Sequence, residues 1–131
     1  MAKNNVGYVD GFVLPVPKNK TSEYRKIAGV MAKLCKKYGA LDYKECIGED
    51  LKPKSMGGMK FTLFPQMVKL KPGETVWFSY ITYKISRKHR DEVNKKVMKD
   101  PIMNDPKNKN MPMPFDMKRM AYGGFKVMVS S

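Results

Sequence analysis

The sequence ETVWFSYITYKISRKHR, residues 74–90, decides the fold. Its first ten residues alternate as a β-strand does, and both sides of the strand carry large apolar side chains. One side holds Thr75, Trp77, Ser79, Ile81 and Tyr83, and the other holds Val76, Phe78, Tyr80 and Thr82. Ser86 then fits the N-cap of a helix that ends near Lys99. The stretch therefore predicts a long strand with two buried faces that leads directly into a helix.

Further elements are predicted on both sides of this strand. Apolar residues at 3/4 spacing predict a helix over 18–38, where Lys36 and Lys37 face the negative end of its dipole. Alternation predicts strands at 7–16, ended by Pro15 and Pro17, at 40–48 as an edge strand, and at 119–129. The Pro72-Gly73 turn predicts a hairpin between a short strand after Pro65 and the long strand. Gly123-Gly124 indicates a bulge or a close backbone approach in the last strand.

This order of elements predicts an α+β protein with the ferredoxin-like βαββαβ plan, an antiparallel sheet with two helices on one face. The whole chain, 1–131, is expected to form a single domain with a flexible start at 1–6, a linker at 49–60 and a long loop at 101–117. Two helices cover only one face of a sheet. We therefore expect the other face to be covered by a second copy, in a homodimer packed sheet to sheet.

The composition limits the classes of function. The chain of 131 residues has a net charge of +14, but its basic residues are spread along the whole sequence, which favours a solvated surface over a polyanion site. A nucleic acid or an acidic protein is kept as an alternative partner. The two cysteines show no metal-binding spacing and are typical of reduced thiols. With no signal peptide or membrane span, we expect a cytoplasmic protein.

Asp10 is the strongest candidate catalytic residue, because it is an acid in a strand otherwise made of Tyr, Val and Phe. On the helix-facing side it would be partly desolvated and able to exchange protons. The alternative is a salt bridge to one of the many Arg or Lys residues. His89, the single histidine, is the second candidate, although a lone histidine is more often a hydrogen-bonded core residue.

Candidate ligand-binding residues surround these two. Arg90 lies near a helix start, where an anion would also meet free backbone N–H groups, and a solvated arginine is the alternative. Hydroxyls on strands could line a pocket between sheet and helices, and core packing is their alternative role. These are Tyr8, Tyr43, Tyr83 and Tyr122. We expect no metal site and no cofactor, since haem would have to use His89 as its axial ligand.

Seven motifs along the chain form a recognisable set. They are YVDGF at 8–12, YKEC at 43–46, FP at 64–65, GETV at 73–76 running to YK at 83–84, SRKHRDEVN at 86–94, MPFD at 113–116 and KRMAYGGF at 118–125. Together they resemble the YbaA-like family of uncharacterised proteins. The resemblance implies the dimeric α/β-barrel superfamily, in which two ferredoxin-like sheets form a barrel across the dimer. The superfamily includes cofactor-independent monooxygenases, small isomerases and haem-binding chlorite-decomposing enzymes. The chain departs from the family at its linker, 55–60, and its Met-rich loop, 103–113.

The leading hypothesis from the sequence is a homodimer that binds, and in the enzyme case turns over, a small organic metabolite in a pocket between sheet and helices. No nucleophile triad, metal cluster or phosphate loop is present in the sequence. Cofactor-independent proton transfer or oxygenation is therefore the class of reaction that the residues support. A non-enzymatic basic binding protein is the competing hypothesis.

Overall fold

The computed structural model describes residues 6–54 and 57–131, and its centre is a four-stranded antiparallel sheet. The strands are β1 (Tyr8–Pro17), β2 (Asp42–Ile47), β3 (Glu74–Tyr83) and β4 (Ala121–Lys126), in the order β2-β3-β1-β4. Two long helices, α1 (Thr21–Lys37) and α3 (Arg87–Met98), follow β1 and β3 along the chain. The α+β class and the antiparallel sheet are as predicted, and the strand order is compatible with the ferredoxin-like plan.

Both long helices pack on the same face of the sheet. Leu34 and Cys35 of α1 and Val93 of α3 share a buried cluster with Ile81 and Tyr83 of β3. A second cluster joins α1 to the other half of the sheet and contains Leu14, Val16, Tyr24, Ala28 and Trp77. The two sides predicted for β3 are confirmed, because Trp77, Ile81 and Tyr83 lie on the helix-covered face and Val76 lies on the other. Asp10 belongs to the helix-covered face.

The other face of the sheet is covered in part by the segment between β2 and β3. Val68 from that segment is buried with Val13 of β1 and Val76 of β3. Phe78 of β3 and Phe125 of β4 stay 41% and 61% exposed. This segment, in which the sequence predicted a short strand after Pro65, thus shields one half of the face and leaves the other half as an exposed aromatic surface.

The predicted strand after Pro65, and with it the hairpin, is wrong. This segment forms a one-turn helix, α2 (Phe64–Met67), with proline in its first turn. The Gln66 side chain accepts a hydrogen bond from the backbone N–H of Leu63 at 2.8 Å, which closes the turn. Lys69 then takes a positive φ of 50° and redirects the chain. The turn at Pro72-Gly73 is present, and Gly73 has the φ of +82° that a type II turn requires.

Strand β1 continues through Pro15 to Pro17, so the prediction that these prolines end it is wrong. Strand β4 pairs with β1 only as far as Val13, whereas β3 continues to pair opposite Pro15 and Pro17. One side of β1 therefore has no neighbouring strand here, and a proline without an N–H is tolerated at such an edge. Asp10 faces Gly124 and Gly11 faces Gly123 in unbroken register, so β4 has no bulge at Gly123-Gly124.

The predicted long loop at 101–117 contains two one-turn helices, α4 (Pro101–Asn104) and α5 (Pro106–Lys109). Asp100 and Asp105 each cap the following turn by accepting a backbone N–H. The predicted flexible start falls almost entirely outside the described residues, and residues 55–56 of the linker do so as well. Among the helices of the described ranges, none is both long and apolar enough to cross a membrane.

Candidate functional site

Asp10 lies in the middle of an ion-paired cluster on the helix-covered face of the sheet. It is 1% exposed. Its Oδ1 accepts a hydrogen bond from Arg90 Nη1 at 2.7 Å, and its Oδ2 accepts one from the Tyr83 hydroxyl at 2.9 Å. Arg90 comes from the first turn of α3, so the pair links that helix to β1. Two roles were considered for Asp10, proton transfer and a salt bridge. Its contact with Arg90 is a salt bridge.

Two further tyrosines complete this Asp10 cluster, which consists of Asp10, Arg90, Tyr83, Tyr122 and Tyr8. The Tyr122 hydroxyl accepts from Arg90 Nη1 at 2.6 Å and lies 3.3 Å from Asp10 Oδ1, to which it donates. The Arg90 guanidinium lies over the Tyr8 ring, 5.3 Å from its centroid. Burial, followed by the charge of Asp10, raises the pKa of Tyr83 above its usual range. The Tyr83 hydroxyl is therefore a proton donor to Asp10 over the physiological range.

His89 does not join the Asp10 carboxylate. Its Nδ1 accepts the backbone N–H of Lys84 at 3.0 Å, and its ring meets Tyr83 edge to face at 6.0 Å. A Cβ built on Gly39 would lie 3.3 Å from His89 Nε2, which places the ring against the end of α1. The hydrogen bond from Lys84 to His89 thus stabilises the turn between β3 and α3. The second nitrogen of His89 faces Gly39, away from Asp10.

A second acidic centre lies elsewhere on the same face, at Glu45 of β2. The Tyr24 hydroxyl donates to Glu45 Oε1 at 2.8 Å and the Tyr43 hydroxyl donates to Oε2 at 2.7 Å. Burial raises the pKa of the Glu45 carboxyl, and the two phenol hydrogen bonds oppose that shift only in part. Burial and the neighbouring Glu45 charge together raise the pKa values of both tyrosines. These three residues form the Glu45 cluster.

Two cavities meet at Glu45. The inner cavity, about 170 Å³, lies between α1, the sheet and the segment 113–120. Its lining is Phe12, Leu14, Tyr24, Ile27, Ala28, Met31, Glu45, Ser79, Met113, Phe115, Met117 and Met120. Glu45 is the one charged residue in that lining. The outer groove, about 490 Å³, runs between α1 and the edge strand β2 and has Glu45, Tyr43 and Trp77 in its wall.

Segment 113–120 is held over the inner cavity by a salt bridge to the sheet. Arg119 donates from Nη1 and Nη2 to the two carboxylate oxygens of Glu74 at 2.7 and 2.6 Å. Its Nε also binds Asp116 at 3.0 Å. A bidentate pair of this kind fixes direction as well as distance. The methionines that precede it in sequence are therefore placed as a wall of the cavity.

The Asp10 cluster borders the inner cavity without opening into it. Phe12, which lines that cavity, stacks on Tyr122 with ring centroids 4.6 Å apart. Tyr122 in turn binds Arg90 of the Asp10 cluster. Of the predicted site residues, Asp10, Tyr8, Tyr83, Tyr122 and Arg90 come together, Tyr43 joins Glu45, and His89 stands beside Tyr83.

Sequence reasoning missed Glu45 as a site residue, although it correctly placed residue 45 in an edge strand. Alternation assigned Glu45 to the same side of β2 as Tyr43 and two apolar residues. An acidic residue on the apolar side of an edge strand is unusual, and this position could have identified Glu45 as a candidate site residue. In the described part of the chain, no three His, Cys, Asp or Glu side chains are grouped so that they could hold a metal ion.

Comparison with known proteins gives a family without an assigned activity. A family model described as "Protein of unknown function (DUF1428)" matches residues 7–117. The chain is 44% identical over 122 residues to the uncharacterized protein YbaA of Escherichia coli strain K12, covering 93% of this chain and 97% of that protein. The YbaA proteins of Escherichia coli O157:H7 and Shigella flexneri match to the same extent. The region matched by the family model includes Asp10, Glu45 and Arg90.

Proposed function

The chain belongs to the YbaA-like DUF1428 family of proteins of unknown function, and we propose that it binds a small organic molecule between its sheet and α1. The observation that carries this proposal is the Glu45 carboxyl at the junction of two cavities. Ligand sites are mostly apolar with a few convergent polar groups, and the inner cavity has that composition. A cavity of about 150 Å³ holds a benzene ring, so the inner cavity is large enough for one six-membered ring.

Glu45 is the proton-transfer group in the enzyme form of this proposal. A carboxylate whose pKa is raised by burial is a stronger base, and it can take a proton from carbon beside a carbonyl group. Once Glu45 is protonated, the Tyr24 hydroxyl, which belongs to the lining of the inner cavity, can donate to the oxygen on which charge develops. No cofactor takes part in this step.

The roles predicted from sequence for Asp10 and His89 as proton-transfer residues stay predictions. We propose that Asp10, Arg90, Tyr8, Tyr83 and Tyr122 act behind Phe12 as the rigid support of the cavity wall. The cytoplasmic location, the ferredoxin-like classification and the single domain are likewise proposals. A nucleic-acid or acidic-protein partner also stays a prediction, for which the described residues provide no specific contact.

We propose further that the chain is a homodimer through the exposed half of the sheet face. Phe64, Phe78 and Tyr80 form a row of rings with centroids 6.4 and 6.2 Å apart. Phe125 on β4 adds a further ring, and Phe64, Phe78 and Phe125 are all exposed. Exposed apolar patches of this kind are typical of interfaces. The interface lies on the opposite side of the sheet from Glu45, so each protomer keeps its own cavity.

Cyclohexanone is expected to enter the inner cavity and to exchange its α-protons there. With methyl-labelled methionine, the signals of Met113, Met117 and Met120 should shift on titration, whereas those of Met98 and Met128, which lie outside the lining, should not. In D₂O, the protein should speed loss of the α-proton signals, and Glu45→Gln should lower that rate by roughly 100-fold or more. Shifts without exchange would restrict the function to binding, and the absence of shifts would contradict the proposal for this probe class.

The stability of the fold is expected to carry a pH dependence that comes from Glu45. Its pKa is raised in the folded protein, so the folded state binds the proton more tightly than the unfolded chain, where the pKa is about 4.3. The stability that protonated Glu45 contributes is therefore lost as pH rises above about 4.3, and the loss is complete once the carboxyl of the folded protein has ionised. Glu45→Gln lacks this carboxyl and does not lose that stability. The unfolding free energy of Glu45→Gln minus that of the wild type should therefore grow with pH over this window. Urea titrations at a series of pH values measure it, and a difference that is flat or falls with pH contradicts it.

A further inference from the structure

Trp77, in the wall of the outer groove, carries a buried donor that the Glu45 chemistry does not use. Trp77 lines the groove and is 4% exposed, and its indole N–H is buried without a hydrogen-bond partner among the described residues. An unpaired buried donor loses its hydrogen bonds to water without replacement, so a native structure rarely keeps one without a reason. A ligand atom that accepts a hydrogen bond would compensate for this loss.

The helix wall of the groove is made of small residues. Ala28, Gly29 and Ala32 line it from α1. A glycine inside a helix destabilises it relative to alanine. A Cβ built on Gly29 would meet no atom within 4 Å, so packing inside the protein does not explain the glycine. The open space next to Gly29 belongs to the groove.

The lining that the described residues give the outer groove contains one cationic side chain. Arg25 lines the groove from the first half of α1, and its side chain makes no ion pair within the described residues. The other two arginines near cavities, Arg90 and Arg119, are each held by carboxylates. A free guanidinium beside an apolar groove is suited to a planar carboxylate, which it can bind through two parallel hydrogen bonds.

We propose that the outer groove binds a small, flat, apolar carboxylic acid. Its hydrocarbon part lies on Trp77, Ile47 and the small residues of α1, and its carboxylate binds Arg25. A second acceptor on the molecule faces the Trp77 N–H. The carboxylic acid is thus the ligand class of the outer groove, which shares Glu45 with the inner cavity. The role of Glu45 toward this ligand rests on the proposed function.

Benzoate is the probe for this inference, and benzamide and benzylamine are its neutral and cationic counterparts. Trp77 is the single tryptophan of the chain, so its fluorescence and its indole N–H signal come from one residue in the wall of the groove. Benzoate should shift both, and benzamide should bind at least roughly tenfold more weakly because it lacks the charged hydrogen bonds to Arg25. Tighter binding of benzylamine than of benzoate would overturn the proposed charge selectivity.

Matched variants test the groove itself. Gly29→Phe fills the open space and should weaken benzoate binding at least tenfold, whereas Val30→Phe, at the next and outward-facing position of α1, should leave it within twofold. Arg25→Gln should weaken benzoate about tenfold and leave benzamide unchanged. Lys26→Gln removes the same charge from the same helix outside the lining and should have little effect.

The outcomes separate this inference from the proposed function. Unshifted Trp77 signals, or a Gly29→Phe protein that binds benzoate as the wild type does, would overturn the carboxylate site. The methionine signals of the inner cavity would still report cyclohexanone in that case, and the proposed function would stand. Loss of the cyclohexanone response with benzoate binding intact would instead overturn the proposed function and keep the groove as a carboxylate site.

Discussion

Replacing Asp10 with alanine is expected to lower the free energy of unfolding by about 3–5 kcal/mol, because it breaks a buried ion pair and removes only one partner. Asp10 is 1% exposed, and its two oxygens receive hydrogen bonds from Arg90, Tyr83 and Tyr122. After the change, the Arg90 guanidinium has no buried counter-charge and the Tyr83 hydroxyl loses its acceptor. The expected loss is a large part of the total stability of a domain of this size.

Urea unfolding followed by Trp77 fluorescence measures this loss, with all proteins at one concentration so that any association contributes equally. Asp42→Ala is the matched control, because Asp42 pairs with Lys44 at the same 2.7 Å but on an exposed surface. That pair should contribute little to stability, because both of its charges stay hydrated. An Asp10→Ala loss no larger than the control would contradict the structural role of the Asp10 pair.

A double-mutant cycle separates the pair from the packing around it. Arg90→Ala alone leaves the Asp10 carboxylate buried without its cation, whereas the double variant removes both charges. The double variant should therefore lose less stability than the two single variants added together. Additive losses would indicate that Asp10 and Arg90 stabilise the protein through separate contacts.

Local patterns in the sequence predicted the elements that such patterns control. The strict alternation of β3 predicted which residues lie together on each side of it, and that prediction is confirmed because packing partners on both faces require it. The helix over 87–98 and the edge position of β2 followed from capping and polarity in the same way. The sequence also singled out Asp10, since an acid between aromatic residues is unusual wherever the strand lies.

Contacts between distant residues could not be predicted in this way. Asp10 and Arg90 were each named as site residues, but nothing local pairs residues that lie 80 positions apart. Glu45 was overlooked because its importance depends on Tyr24, which comes from the preceding helix, and on cavities that only the packed helix defines. The helix α2 replaced a predicted strand because a proline and one glutamine side chain close a single turn, too short for any periodicity.

Phe78→Glu is expected to convert the protein from a dimer into a monomer of 15.0 kDa. Phe78 of β3 stands between Phe64 and Tyr80 in the row of rings, and a symmetric interface uses it twice. Losing the burial of two phenylalanines, and placing two unpaired carboxylates there, should weaken association by at least roughly 100-fold. Sedimentation velocity over a dilution series measures the change.

Val30→Glu is the matched control for Phe78→Glu, because Val30 is 40% exposed and lies on the outer side of α1. It should leave the dimer intact. A wild-type protein that sediments as a 15.0 kDa monomer at every concentration would contradict the proposed assembly.

The monomeric Phe78→Glu protein also tests how assembly and site are related. Phe78 and Glu45 lie on opposite faces of the sheet, and Phe78 does not line either cavity. Cyclohexanone and benzoate should therefore still shift their methionine and tryptophan signals in the monomer. If binding were lost together with the dimer while the fold remained intact, the partner would have to contribute to the site. The site would then belong to the assembly and not to the protomer.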